Sequence, residues 1–226
     1  MKNFTVVFDL DGTLVDTAPD LLNAVRHVLG LMGVADFDVS VVREQISFGG
    51  RHMIAEALRH SGRADVPDED LDRMFDEFVD HYAANIAVES AAYKGVELVL
   101  RALNESGARL AVCTNKREDL SRKLLKELGL HPYFHAVVGR DTLPVHKPDP
   151  GHLIGAIILA DGNPGRAVMV GDSETDVVTA RQAGIPVVGC AFGYSPVPMD
   201  QISPDAIISN YGEFQNAISD AVQAVA

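Results

Sequence analysis

The short apolar run Phe4-Thr5-Val6-Val7-Phe8 ends in Asp9-Leu10-Asp11-Gly12-Thr13, and this junction constrains the fold more than any other feature of the chain. An unbroken apolar run of this length reads as a strand buried on both faces, as in a parallel sheet covered by helices. Its carboxyl end therefore carries two acidic side chains to the edge of a sheet. Side chains two apart in extended chain point the same way, so Asp9 and Asp11 stand side by side. Crowded carboxylates are unfavourable unless a cation or a shared proton relieves them. Asp, Gly and Thr are also ordinary surface-turn residues, and the junction alone does not separate the two readings.

The pattern that follows points to a sheet. Leu21, Leu22, Val25, Val28, Leu29 and Met32 fall at helical spacing, behind the helix-start residues Asp16, Thr17 and Pro19. Helical patterns continue through Ile54-Ala57-Leu58 and Leu71-Met74-Phe75-Phe78-Val79-Tyr82. The next strand pattern, 109–113, comes about a hundred residues after the first. A parallel crossover needs only one helix and short loops, so the excess predicts an all-helical insertion over 17–91, with 1–16 and 92–226 forming the core. Strands at 136–138, 167–170 and 187–190 then alternate with helices near 96–104, 120–128, 152–159 and 176–183. An edge strand at 206–208 and a helix after Gly212 complete the chain. Such alternation predicts an α/β fold with a doubly wound parallel sheet.

Ligands of open α/β sheets bind beyond the strands' carboxyl ends, so polar segments scattered in sequence should converge there. Those segments are Asp9 with Asp11, Thr114-Asn115-Lys116, and Gly171-Asp172-Ser173-Glu174-Thr175-Asp176. The loop after the third strand adds Lys147, whose direction is restricted by Pro148 and Pro150. Carboxylates from two strand ends, with a lysine and a threonine, make an oxygen cage for a hard cation and a cradle for an anion. Mg²⁺ fits such donors. Zinc fits less well, because the histidines show no ligand-like clustering with Cys or Glu, and Pro132 separates His131 from His135.

A net charge of −13 argues against binding nucleic acid, so an anionic substrate must be held by local cations. An apolar fraction of 47% supplies a packed core. Cys113 and Cys190 lie far apart in apolar segments, as small buried hydrophobes in a reducing compartment do. Asp9 and Asp11 interrupt the stretch where a signal peptide needs an apolar core, and no segment has the length of a membrane span. The expectation is a cytoplasmic protein with no membrane partner, as monomer or homodimer.

Together, Asp9-Leu10-Asp11-Gly12-Thr13-Leu14-Val15-Asp16-Thr17, Thr114-Asn115-Lys116, Lys147-Pro148-Asp149-Pro150 and Gly171-Asp172-Ser173-Glu174-Thr175-Asp176 resemble the four ordered motifs of the haloacid dehalogenase superfamily. Within it the chain is most similar to bacterial phosphoglycolate phosphatases. The resemblance implies a Rossmann-like core with a helical cap inserted after the first motif, and Mg²⁺ as cofactor. It implies Asp9 as the nucleophile that takes a phosphoryl group, and Asp11 as acid and then base. Mg²⁺ would be held by Asp9, Asp172 and the backbone carbonyl of Asp11, with Asp176 acting through water or Lys147. Thr114, Asn115 and Lys147 would hold the phosphoryl oxygens.

The implied substrate is a small phosphorylated anion, 2-phosphoglycolate first. Capped relatives act on sugar phosphates, amino-sugar phosphates or pyrophosphate, or are mutases resembling β-phosphoglucomutase. A catalytically silent phosphate-sensing module is the non-enzyme alternative, disfavoured because sensing needs no acid at Asp11. Residues 17–93 contain six arginines, fourteen acidic residues and no lysine. The missing lysine disfavours phosphonate-cleaving relatives, which form a Schiff base there; Asp11 disfavours the dehalogenases, which have no acid at that position. Gly49-Gly50-Arg51 interrupts the helical pattern, making Gly50 and Arg51 the candidate specificity residues. Arg51 reads either as an anion contact for a substrate carboxylate or as a surface arginine beside a helix start. Tyr194 reads either as rim or as packing.

Overall fold

The computed structural model describes residues 4–34 and 36–224. The chain opens with β1 (Thr5–Phe8) and the two-residue β2 (Val15–Asp16), then runs through α1 (Ala18–Leu31), α2 (Val39–Arg43), α3 (Gly50–His60) and α4 (Asp68–Ala84). It returns through β3 (Ala91–Ala92), antiparallel to β2. Alternation follows: α5 (Val96–Glu105), β4 (Arg109–Cys113), α6 (Glu118–Glu127), β5 (Ala136–Val138), α7 (Pro150–Leu159), β6 (Ala167–Gly171), α8 (Glu174–Ala183) and β7 (Val187–Cys190). The short α9 (Met199–Ile202), β8 (Ala206–Ile208) and α10 (Phe214–Ala224) complete it.

Two compact units result. One takes in the chain up to Asp16 and from Ala91 onward; the other is Thr17–Ser90.

In the first unit the sheet order is β5-β4-β1-β6-β7-β8, with every neighbouring pair parallel. The chain winds outward in one direction through β4 and β5, then in the other through β6, β7 and β8. The order reverses beside β1, and that reversal opens a crevice at the carboxyl ends of β1 and β6. Val6, Val7 and Phe8 are fully buried, as expected for a central strand covered on both faces. Phe8 stacks on Phe214 and meets Phe134 edge-on. Both cysteines are free and buried, and Cys113 Sγ lies 3.3 Å from His152 Nδ1. Burial pushes that thiol up to about 12, so it stays protonated.

Local chemistry sets the helix starts. Asp149 caps α7 by accepting the Gly151 N–H, with Pro150 in the first turn, so this helix begins ahead of the 152–159 expected from periodicity. Ser173 and Asp176 form a capping box at the start of α8. The β2–β3 pair has no counterpart in the sequence reading, because two residues per strand carry no periodicity.

Among the described residues the Thr17–Ser90 unit has helices and no strand. Leu22, Val25 and Leu29 of α1, Ile54 and Leu58 of α3, and Phe78 and Tyr82 of α4 are buried. Buried Asp20 in the first turn of α1 accepts the backbone N–H groups of Glu89 and Ser90 and the Ser90 hydroxyl, at 2.6–3.1 Å. Hydrogen bonds to a carboxylate contribute roughly 1.5–3 kcal/mol each, so Asp20 ties the start of this unit to its end. No helix among the described residues is long and apolar enough to cross a membrane.

Candidate active site

Asp9 stands one residue beyond β1, its N–H bonded to the Val170 carbonyl at 2.9 Å, which sets it level with the end of β6. Asp172 follows β6 directly, and Asp176 is in the first turn of α8. Carboxylate oxygens of Asp9, Asp172 and Asp176 all lie within 4.8 Å of one another. Into this cluster reaches the ammonium of Lys147, 2.6 Å from Asp176 Oδ1 and 3.0 Å from Asp9 Oδ1. Asn115 Nδ2 donates to the Lys147 carbonyl at 3.0 Å and so holds the loop that aims it.

Burial and mutual repulsion dominate the electrostatics. Burial pushes Asp9 up to about 6; Lys147 opposes this, while Asp176 and Asp11 add to it. Asp172 is pushed well above the usual aspartate range by burial, then by Asp176 and Asp9. Burial by itself would lower the Lys147 pKa, but Asp176 and Asp9 more than reverse that and keep it charged.

Each carboxylate is oriented by its own donors. Asp9 Oδ1 accepts the Leu10 N–H at 2.7 Å, and among the described residues no hydrogen bond falls on Oδ2. Asp172 Oδ1 accepts from the Thr13 hydroxyl at 3.1 Å, and Oδ2 from the Tyr194 N–H at 2.7 Å. Its carboxyl is clasped by two glycines: a Cβ on Gly12 would stand 2.3 Å from Asp172 Oδ2, and one on Gly193 2.2 Å. Gly12 also has φ of +77°, which favours glycine further. Asp176 Oδ2 accepts both the N–H and the hydroxyl of Ser173.

Thr13 was not assigned to the site by sequence, although it lies within the first motif, and Gly193, read with Tyr194 as a rim residue, instead makes room for the Asp172 carboxyl. Tyr194 is buried, and it serves the site as well as the packing: its N–H holds Asp172, and its hydroxyl donates to Asp16 Oδ1 at 2.6 Å.

Asp11 is not one of the cluster of three, although it is near enough to push Asp9 up. Its two oxygens accept from Lys116 Nζ at 3.0 and 3.2 Å. Thr114 is buried, with its hydroxyl oxygen accepting the Lys116 N–H at 3.3 Å. Asn115 Oδ1 is buried and accepts no hydrogen bond among the described residues.

Gly50 and Arg51 belong to the Thr17–Ser90 unit. The close approach that Gly50 permits is to the Phe78 ring, which a Cβ would meet at 2.4 Å. Arg51 donates to Asp72 at 2.7 Å and to Asp68 at 2.9 Å.

Three buried carboxylates against one ammonium leave an excess of negative charge on hard oxygen donors. That donor set suits a hard divalent cation, so the trio could hold a metal. An ammonium beside the same oxygens suits an anion bound next to that metal.

Comparison with known proteins agrees with this chemistry. Residues 6–190 match the family described as haloacid dehalogenase-like hydrolase. A phosphoglycolate phosphatase of Mesorhizobium japonicum is 44% identical over 93% of this chain and 92% of its own. One from Agrobacterium fabrum is 41% identical over 94% of this chain and 91% of its own. Among solved structures, a predicted phosphoglycolate phosphatase from Haemophilus somnus superposes with a TM-score of 0.88 at 28% identity, covering 96% of this chain and 98% of that one. The match spans β1 through β7, so it takes in every strand end that builds the crevice, and the chain belongs to the haloacid dehalogenase-like hydrolase family.

Proposed function

We propose that this hydrolase is a Mg²⁺-dependent phosphatase of 2-phosphoglycolate that carries the phosphoryl group on Asp9. Phosphatase activity itself follows from the family and from relatives matched over nearly their whole length. One observation carries the assignment of Asp9. Its Oδ1 is anchored by Leu10 N–H and Lys147, and Oδ2 carries no hydrogen bond among the described residues beside a cluster built for a cation and an anion.

The oxygens that would hold the ion are the carboxylates of Asp9 and Asp172 and the carbonyl of Asp11, while Asp176, whose oxygens bond Lys147 and Ser173, acts through water or Lys147. Bound there, Mg²⁺ supplies positive charge that offsets the carboxylates and the phosphoryl oxygens. Lys147 and the Thr114 hydroxyl hold the phosphoryl oxygens and stabilise charge during transfer. Asp9 Oδ2 attacks phosphorus as the ester P–O bond breaks, and Asp11 gives its proton to the leaving alkoxide. Asp11 then takes a proton from water, which attacks the phosphoryl group on Asp9 and releases inorganic phosphate.

The test is relative kcat/KM with Mg²⁺ across 2-phosphoglycolate, hexose phosphates, amino-sugar phosphates and pyrophosphate, with glucose 1-phosphate included to detect mutase activity. 2-Phosphoglycolate is expected to lead by about 100-fold. A hexose phosphate or pyrophosphate in first place, or glucose 6-phosphate formed from glucose 1-phosphate, overturns the substrate assignment.

Metal binding has its own signature in stability. Asp9 binds its proton with a pKa of about 6 in the folded protein against 3.8 ordinarily. Below pH 3.8 folded and unfolded states both keep that proton, and the group contributes nothing. As pH rises toward 6 the unfolded chain releases it first, so stability falls, reaching a penalty of about 3 kcal/mol above pH 6. A bound divalent ion offsets that penalty. Saturating MgCl₂ is therefore expected to raise the melting temperature little near pH 4.5 and by roughly 6–12 °C at pH 7. Calorimetry showing the same increment at both pH values would contradict a carboxylate site of this kind.

A further inference from the structure

Lys116 reaches the site from the loop after β4, and the catalytic steps above do not use it. Its Nζ binds both oxygens of Asp11, at 3.0 and 3.2 Å, and its side chain is only 7% exposed. A buried ammonium is tolerated when an anion faces it. The other lysine of the site, Lys147, is already shared by Asp176 and Asp9. Arg51, the expected anion contact, is held between Asp68 and Asp72 in its own unit.

Distance links Lys116 to the substrate, given the roles of Asp9 and Asp11 proposed above. Lys116 Nζ stands 3.0 Å from the Asp11 carboxylate in its paired position, and an acid that protonates the ester oxygen stands about 3 Å from it, so Nζ and the ester oxygen are separated by the turn of one short side chain, about 6–7 Å. In a phosphorylated 2-hydroxy acid the carboxylate is attached to the carbon beside the ester oxygen, with its own oxygens roughly 3 Å away. That carboxylate reaches Lys116 at ion-pair distance.

We propose that Lys116 determines specificity: the carboxylate of a phosphorylated 2-hydroxy acid replaces Asp11 as its counter-ion and leaves Asp11 free to reach the ester oxygen. One anion is exchanged for another, so the buried ammonium is never left alone. A neutral ester of the same length brings no anion to exchange, and Asp11 stays on Lys116. A site that pairs a substrate group rejects analogues lacking it strongly, because its own polar group is otherwise left unmatched.

The experiment compares 2-phosphoglycolate with ethyl phosphate, which lacks the carboxylate, in the wild type, Lys116→Met and Lys116→Arg. The wild type is expected to prefer 2-phosphoglycolate by about 100-fold in kcat/KM. Lys116→Met should lose that preference, through a fall on 2-phosphoglycolate, which loses its partner, and a rise of about threefold or more on ethyl phosphate, where Asp11 is no longer held from the ester oxygen; Lys116→Arg should keep most of it. An equal fall on both esters makes Lys116 a support for Asp11 or the fold and overturns the proposal. A wild type that turns over both esters equally overturns it without any variant. Asp9→Asn separates the two levels: phosphate release persisting there refutes the catalytic reading, whereas an unchanged ester preference in Lys116→Met, with Asp9→Asn inactive, refutes only the role of Lys116.

Discussion

Asp9→Asn is expected to lower phosphate release by at least about 10⁴-fold while leaving the protein as stable as the wild type, or more so. An amide oxygen is a poor nucleophile, and the neighbouring carboxylates of Asp172 and Asp176 are each held by their own donors. The amide can still accept the Leu10 N–H that Asp9 Oδ1 accepts now. It also removes one of the carboxylates in the cluster, and burial among Asp176 and Asp11 already makes ionised Asp9 unfavourable. Lost activity with an unchanged or raised melting temperature separates a nucleophile from a structural residue. Turnover within tenfold of wild type would remove Asp9 from the mechanism.

Lys147→Met should damage both stability and activity. The side chains of Lys147 and Asp176 are 2% and 0% exposed, and Asp9 depends on the same ammonium. Breaking a buried pair by removing one partner leaves an unbalanced charge and costs roughly 3–5 kcal/mol. Here the imbalance is worse, because Asp9, Asp172 and Asp176 would face one another without their cation. Activity should fall by roughly 10²–10³-fold, the scale for losing one preorganised group that stabilises transferring charge. Pairing the change with Asp176→Asn removes both members of the closest ion pair, so the double variant should lose less stability than the two single changes together. Denaturant unfolding that places Lys147→Met within 0.5 kcal/mol of wild type, about the size of a neutral surface change, would mean the ammonium does not balance this cluster.

Much of the fold was legible because burial writes itself into sequence. Val6, Val7 and Phe8, and Val168, Met169 and Val170, are continuous apolar runs, and they lie side by side in the centre of the sheet. Asp9 and Asp172 were legible as neighbours because parallel strands bring their carboxyl ends to one edge. Gly50 was legible only as an interruption of the helix: the room it makes is taken by Phe78, 28 positions away. Arg51 was equally opaque, since its partners Asp68 and Asp72 come from another helix.

By itself, then, the chain determined which strands are central, that a long helical stretch interrupts them, and that acidic side chains gather where the strands end. Hydrophobic pattern and strand polarity are local properties, read residue by residue. Only the tertiary structure decided how two aspartates two residues apart are divided, Asp9 toward Asp172, Asp176 and Lys147, and Asp11 toward Lys116. That division depends on which distant cation arrives beside each carboxylate. Lys116 lies 105 positions from Asp11, and Tyr194, whose N–H orients Asp172, lies 22 beyond it. Coulomb and hydrogen-bond energies depend on separation in space, so no spacing along the chain records them.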